Sequence, residues 1–174
     1  MPKNYVYRVD HDTGFAPHIE KRICTLSGCK KTTAEKGATR NSWVIGIGGN
    51  GTGKPNKLIY AMKVIENLHY EEFQRRFPIA GKYLSPKHAG PSVLVSKRFY
   101  YFGDKAIDLP PDLKRILVKA QGCKCISDED AARLEQYVIE RGFKCGKHGD
   151  PNNSEELPKR SCGNKRTKRK RVCR

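Results

Sequence analysis

The sequence predicts an α+β fold: a mixed β system, short flanking helices and a disordered basic C-terminal tail. Three observations carry that expectation. Residues 41–66 (NSWVIGIGGNGTGKPNKLIYAMKVIE) hold two nearly continuous apolar runs around a Gly/Asn/Lys/Pro cluster at 48–56, which reads as a long-looped β-hairpin. Both runs are too apolar for a one-sided sheet, so the pair belongs at the centre of the domain. Further strand-like runs at 5–9 and 92–102 are mixed with short helical patterns. Finally, nine Lys/Arg and no acid lie in 158–174, with too few apolar residues to build a core. One domain over 1–153 and a flexible basic tail over 154–174 follow.

Taken in order, Tyr5-Val6-Tyr7-Arg8-Val9 alternates as an opening strand. The segment DHDTG at 10–14 is a turn sequence, and Phe15-Ala16-Pro17 resumes extended. Two carboxylates flank a histidine there, so Asp10 or Asp12 is a candidate general base. The competing reading is a turn whose aspartates cap backbone N–H groups. Residues 23–31 (ICTLSGCKK) lead through a short strand to a glycine turn, and 32–37 suits a short helix. The 69–77 stretch (HYEEFQRRF) has helical spacing, with Tyr70, Phe73 and Phe77 on one face and Pro78 as terminator. Residues 79–91 form a loop, and 92–102 (SVLVSKRFYYF) is a single apolar, aromatic strand. An amphipathic helix is expected over 110–121, on Leu113, Ile116 and Leu117. A second is expected over 127–141, capped by Ser127 with Asp130 and facing inward at Leu134, Tyr137 and Val138.

The glycine loop invites comparison with a phosphate-binding loop, since Gly48 stands five residues before Gly53-Lys54. That chemistry needs a Ser or Thr for magnesium and a following helix. Pro55 stands at the hydroxyl position and a strand pattern follows, so a flexible hairpin loop is the expectation. Lys54 remains able to touch a nucleic-acid backbone.

The chain carries a formal charge of +17 over 174 residues. With the tail set aside, cations still outnumber acids. A polyanionic partner is expected, nucleic acid (DNA or RNA) first. Seven cysteines without a disulfide rhythm point to reduced thiols. No apolar run approaches the ~20 residues of a membrane span and no leader pattern opens the sequence, so a cytoplasmic protein without a membrane partner is expected. No cofactor is expected. The weak metal candidate is zinc on Cys123, Cys125, Cys145 and His148, where the C-x-C spacing is tight for a zinc site.

Read together, YVYRVDHDTGFAP, TLSGCKK, WVIGIGG, LIYAMKV, VLVSKRFYYFG and G-x-H-G-D-P resemble the second of the nucleotide-modification-associated domains of bacteria and phage. The resemblance runs over residues 4–153 and leaves out the tail. It implies a role on modified or to-be-modified nucleic acid, in DNA modification or phage–host conflict. More distantly the pattern is similar to PUA-like barrels of the EVE and ASCH types, which implies that the mixed β system closes as a PUA-like β-barrel. There a Gly-Asp precedes the strand, where this chain has Asn41-Ser42.

The resulting expectation is a domain that recognises a modified base or a nucleotide in a pocket. The candidate base and nucleotide contacts are Tyr7, Arg8, Asp10, Phe15, Cys29, Lys30, Ser96, Phe99 and Tyr101. Aromatic rings would stack the base, and Arg and Asp would read its edge. Backbone contacts fall to Lys31, Arg40, Lys54 and the tail residues Lys165, Arg166, Lys168, Arg169, Lys170 and Arg171. One rival is an enzyme acting on a nucleotide or base, with Asp10 or Asp12 as base and Lys30 or Arg8 stabilising charge. The other is a structural component of a ribonucleoprotein.

Overall fold

A computed structural model describes residues 1–27, 37–78, 92–120 and 122–154. The strands are β1 (Asn4–Val9), β2 (His18–Glu20), β3 (Ile23–Leu26), β4 (Trp43–Gly48), β5 (Lys57–Lys63), β6 (Glu66–His69), β7 (Ser92–Ser96), β8 (Arg98–Tyr101), β9 (Ile107–Asp108), β10 (Cys123–Ile126) and β11 (Gly146–Lys147). Among the described residues they are accompanied by the α-helices α1 (Tyr70–Arg76) and α2 (Asp128–Glu140). The helix expected at 32–37 and the loop at 79–91 fall almost wholly outside the described residues.

The main sheet runs β10-β1-β4-β5-β8-β11, with β9 also on β5; a second sheet runs β2-β3-β7-β6. The central hairpin forms as expected. β4 pairs antiparallel with β5, and every residue of β4 is buried because both its faces are covered. Val44, Met62 and Tyr60 face a core shared with Cys24 and Leu26 of β3 and Leu94 of β7. Ile45, Ala61 and Leu58 face an opposite core closed by Leu134 and Val138 of α2 and by Leu113 and Ile116. A third cluster, Leu68, Val93, Val95 and Phe73 of α1, covers the outer face of the second sheet. The layers are therefore helix, sheet, sheet, helix.

Three expectations are corrected. No closed barrel forms among the described residues, because β10 and β11 remain as open edges of the main sheet. The reason lies in the run 92–102, which is two strands and not one. β7 belongs to the second sheet and β8 to the main sheet, and the chain turns from one to the other at Lys97. The partner strand turns at the same level, from β5 into β6 through Val64 and Ile65. Third, the segment after Pro110 is a 3-10 helix over Pro111–Ile116, not an α-helix to 121. Its two buried side chains, Leu113 and Ile116, are three residues apart, the spacing that a three-residue turn aligns.

The expected α2 is present, with the Asp130 N–H donating to Ser127 Oγ at 3.0 Å.

Candidate functional site at the ends of β1 and β4

β1 and β4 are parallel neighbours, paired from Tyr5↔Val44 to Val9↔Gly48. Their C-terminal ends therefore open side by side into two polar loops, 10–17 and 49–56. Crevices at the carboxyl ends of parallel strands are common ligand positions. Arg8 lies on the α2 side of β1, by alternation with Val6, and only 20 % of its side chain is exposed. Its Nε is 3.9 Å from Asp10 Oδ1, and Asp10 has 33 % of its side chain exposed. The Arg8 backbone N–H donates to Gly122 O at 3.3 Å, which brings the segment around Lys119 to the same place.

The glycines of the second loop allow this crowding. A Cβ on Gly49 would stand 2.7 Å from Arg8 Nε, and one on Gly51 would stand 2.3 Å from the Asp10 carbonyl oxygen. At Gly51 only a residue without a side chain lets the two backbones meet, while at Gly49 a side chain would press on the Arg8 guanidinium. Lys54 follows a left-handed Gly53 and is half-buried. A strand follows the loop where a nucleotide-binding P-loop would have a helix.

Asp12 has a different role from its neighbour. It is fully buried, and both its oxygens accept from the Tyr101 hydroxyl, at 2.8 and 2.9 Å. The Asn152 N–H and Nδ2 also donate to Asp12 Oδ2, at 3.2 and 3.1 Å. Asn153 completes the tie. Its Oδ1 accepts from the Asp12 N–H at 2.9 Å, its own N–H donates to Asp12 O at 2.8 Å, and its Nδ2 donates to Gly51 O at 3.1 Å. A carboxylate so surrounded anchors the Asn152-Asn153 segment and has no room to act on a substrate. Burial first, and the Asp12 charge second, push the Tyr101 phenol up.

The structure thus brings Arg8, Asp10, Asp12 and the Lys54 loop to one end of the main sheet. Other candidates lie elsewhere. Tyr7, Phe99 and Tyr101 are 1–2 % exposed and pack the core between the sheets, where Tyr7 and Tyr60 share a hydroxyl–hydroxyl hydrogen bond. Their rings have no open face on which a base could stack. Phe15 packs on the outer cluster of the second sheet, across that sheet from Tyr7. Ser96 is buried at the corner between the sheets, with its hydroxyl 2.6 Å from Lys63 O and 2.8 Å from Arg98 O, and it accepts from the Arg98 N–H at 3.1 Å. Arg40 is exposed in the turn before β4. Cys29, Lys30, Lys31 and the six tail cations lie outside the described residues.

The candidate zinc ligands separate. Cys123 and Cys125 sit on β10, at one edge of the main sheet, while Cys145 and His148 flank β11 at the other. Five strand steps of ~4.8 Å put these edges about 24 Å apart. Among the described residues no group of three His, Cys, Asp or Glu could hold a metal.

Asn152, Asn153, Gly49 and Gly51 were not singled out by the sequence. The Asp12–Asn152 bonds span 140 positions, a separation that no local pattern encodes.

The family model described as nucleotide modification associated domain 2 matches residues 1–86 and 79–157. Among the curated proteins and the solved structures nothing matches.

Proposed function

The chain belongs to the nucleotide modification associated domain 2 family, and on that premise we propose that it binds nucleic acid and takes a base or nucleotide at the C-terminal ends of β1 and β4. One observation carries this reading. A partly exposed guanidinium and a partly exposed carboxylate, Arg8 and Asp10, stand over a glycine loop that leads to Lys54. Arginine offers paired donors and aspartate paired acceptors, the complement of a base edge. The N–H groups of Gly49, Thr52, Gly53, Lys54 and Asn56 donate within the protein, so a phosphate contact here falls to the Lys54 side chain. Asn153 is fixed to Gly51 and Asp12, so the nine cations of 158–174 follow a point beside this site. A polymer held by its phosphates at the tail would present its nucleotides there.

Binding is preferred to catalysis because Asp12 is enclosed, leaving Asp10 as the accessible carboxylate of the pair. The ligand would be a modified or to-be-modified nucleotide, in keeping with the family's description. A role in phage–host conflict, in the cytoplasm of the cell, belongs to the same proposal.

The test is to titrate the purified full-length chain with nucleoside monophosphates and with short DNA and RNA oligonucleotides, after mass analysis for a co-purified nucleotide. Saturable binding of one nucleotide class supports the reading. A chain that carries no nucleotide and binds none of these probes contradicts it.

A further inference from the structure

We propose that the corner where the two sheets join is a second contact, a cationic strip that grips the phosphodiester backbone of the bound nucleic acid. The proposal relies on the function proposed above for the identity of the polyanion. Trp43, Lys63 and Arg98 form a single rung of the main sheet, paired Trp43↔Lys63 and Lys63↔Arg98. All three side chains lie on the α2 side. Trp43 belongs to that core, Lys63 Nζ sits 6.0 Å from the centre of the Trp43 ring, and Arg98 reaches Glu135 of α2 at 2.6 Å. β11 runs parallel to β8 with Gly146 opposite Tyr100, so Lys144 lies at the Arg98 end of β8. The Asn41 N–H donates to Val64 O at 2.8 Å and holds the turn of Arg40 beside the end of β5. Lys97 is the exposed corner residue itself.

Five cations from four places in the chain thus meet at one end of the sheet. The two carboxylates there are already engaged. Glu66 is held by Arg76 through hydrogen bonds of 2.5 and 2.8 Å, and Glu135 is held by Arg98. Glu66 titrates below the usual carboxylate range, first because of Arg76 and then through the fields of Arg40 and Lys97, which places both near it. Arg40, Lys63, Lys97 and Lys144 have no carboxylate in ion-pair range among the described residues. Four uncompensated cations, Lys63 on the strand rung and Arg40, Lys97 and Lys144 on the segments beside it, form a field that favours a polyanion.

The geometry suits a nucleic-acid strand. Neighbouring strands are spaced ~4.8 Å apart, so the long side chains at and beside the ends of β5, β8 and β11 can reach successive phosphates. The strip lies at the opposite end of β4 from Arg8 and Asp10, five residue steps or about 17 Å away. That length corresponds to about five nucleotides at 3.4 Å each. One polymer could occupy both ends.

The test uses the full-length chain with Arg40→Gln, Lys63→Gln, Lys97→Gln and Lys144→Gln combined. Affinity for a short random-sequence DNA, single-stranded and duplex, is measured across a salt series, alongside mononucleotide affinity and the melting temperature. Each lost phosphate contact should lower the duplex salt slope by about 0.9. The expected result is a slope reduced by about 2–4, unchanged mononucleotide binding and an unchanged melt. If the combined variant melts early, the single exposed change Lys97→Glu replaces it and should lower oligonucleotide affinity about threefold or more. An unchanged slope overturns the strip and leaves the nucleotide site standing. Wild-type chain that binds no oligonucleotide overturns both. Displacement of the DNA by polyglutamate at equal charge concentration assigns the strip to an acidic protein segment and overturns the nucleic-acid assignment.

Discussion

Ser96 shows what a buried hydroxyl does when the chain changes sheets. Its oxygen meets Lys63 O, Arg98 O and the Arg98 N–H, the backbone groups of the last β5–β8 pair at the bend. Ser96→Ala should cost about 1 kcal/mol in denaturant unfolding, since it removes buried hydrogen bonds. The sequence marks Ser96 as a polar residue in an apolar run but does not say whether it serves a ligand or a bend. Tyr7, Phe99 and Tyr101 carry the same ambiguity, because an alternating strand shows which residues share a face and not which face is covered. Titration offers a separate check at this scale. Burial pushes the Cys24 thiol up, and burial with Asp12 pushes the Tyr101 phenol up. Both stay neutral in the fold at a pH where the unfolded chain would ionise. Their stabilisation is therefore full below the unfolded values, about 8.5 for Cys and 10 for Tyr, and declines as the pH rises above them. The melting temperature should fall in two stages on the alkaline side. Cys24→Ala should flatten the first and Tyr101→Phe part of the second, with buried Tyr100, also raised, contributing to the rest.

Elements were legible where one local pattern decides them. The β4–β5 hairpin, α1 and α2 follow from apolar periodicity and capping, and Ser127 does cap α2. Ser127→Ala should lower stability by about 1 kcal/mol. The 3-10 segment was not legible as such, because Leu113 and Ile116 fit both helix types and the choice is made by the core above them. That core predicts a cost of about 2–5 kcal/mol for Leu113→Ala, measured as a shift in the denaturant midpoint with an unchanged slope. The strand break at Lys97 follows from the second sheet's need for β7, a partner relation between distant segments. The polar triplet Ser96-Lys97-Arg98 inside an apolar run is the one local trace of it.

At the scale of the molecule, the fold is closed by a tie between its two ends. Asp12, Gly51, Tyr101, Asn152 and Asn153 bind four separated segments. A chain ending at residue 154 should keep a cooperative melt. One ending at 145 should lose several degrees, since Asp12 then loses its asparagine donors and stays buried. The same tie holds Asn153, from which the chain runs on to its basic stretch, against Gly51 and Asp12, and under the proposal this would join a reader of base edges to a source of phosphate contacts. The measurement that tests this most directly compares wild-type and Arg8→Ala chains, for nucleotide affinity and for the salt dependence of DNA binding. The account predicts that Arg8→Ala weakens binding of the preferred nucleotide about tenfold or more, from the loss of a charged hydrogen bond, while the salt slope changes by at most about one phosphate contact. Equal nucleotide affinity in the two chains would contradict it.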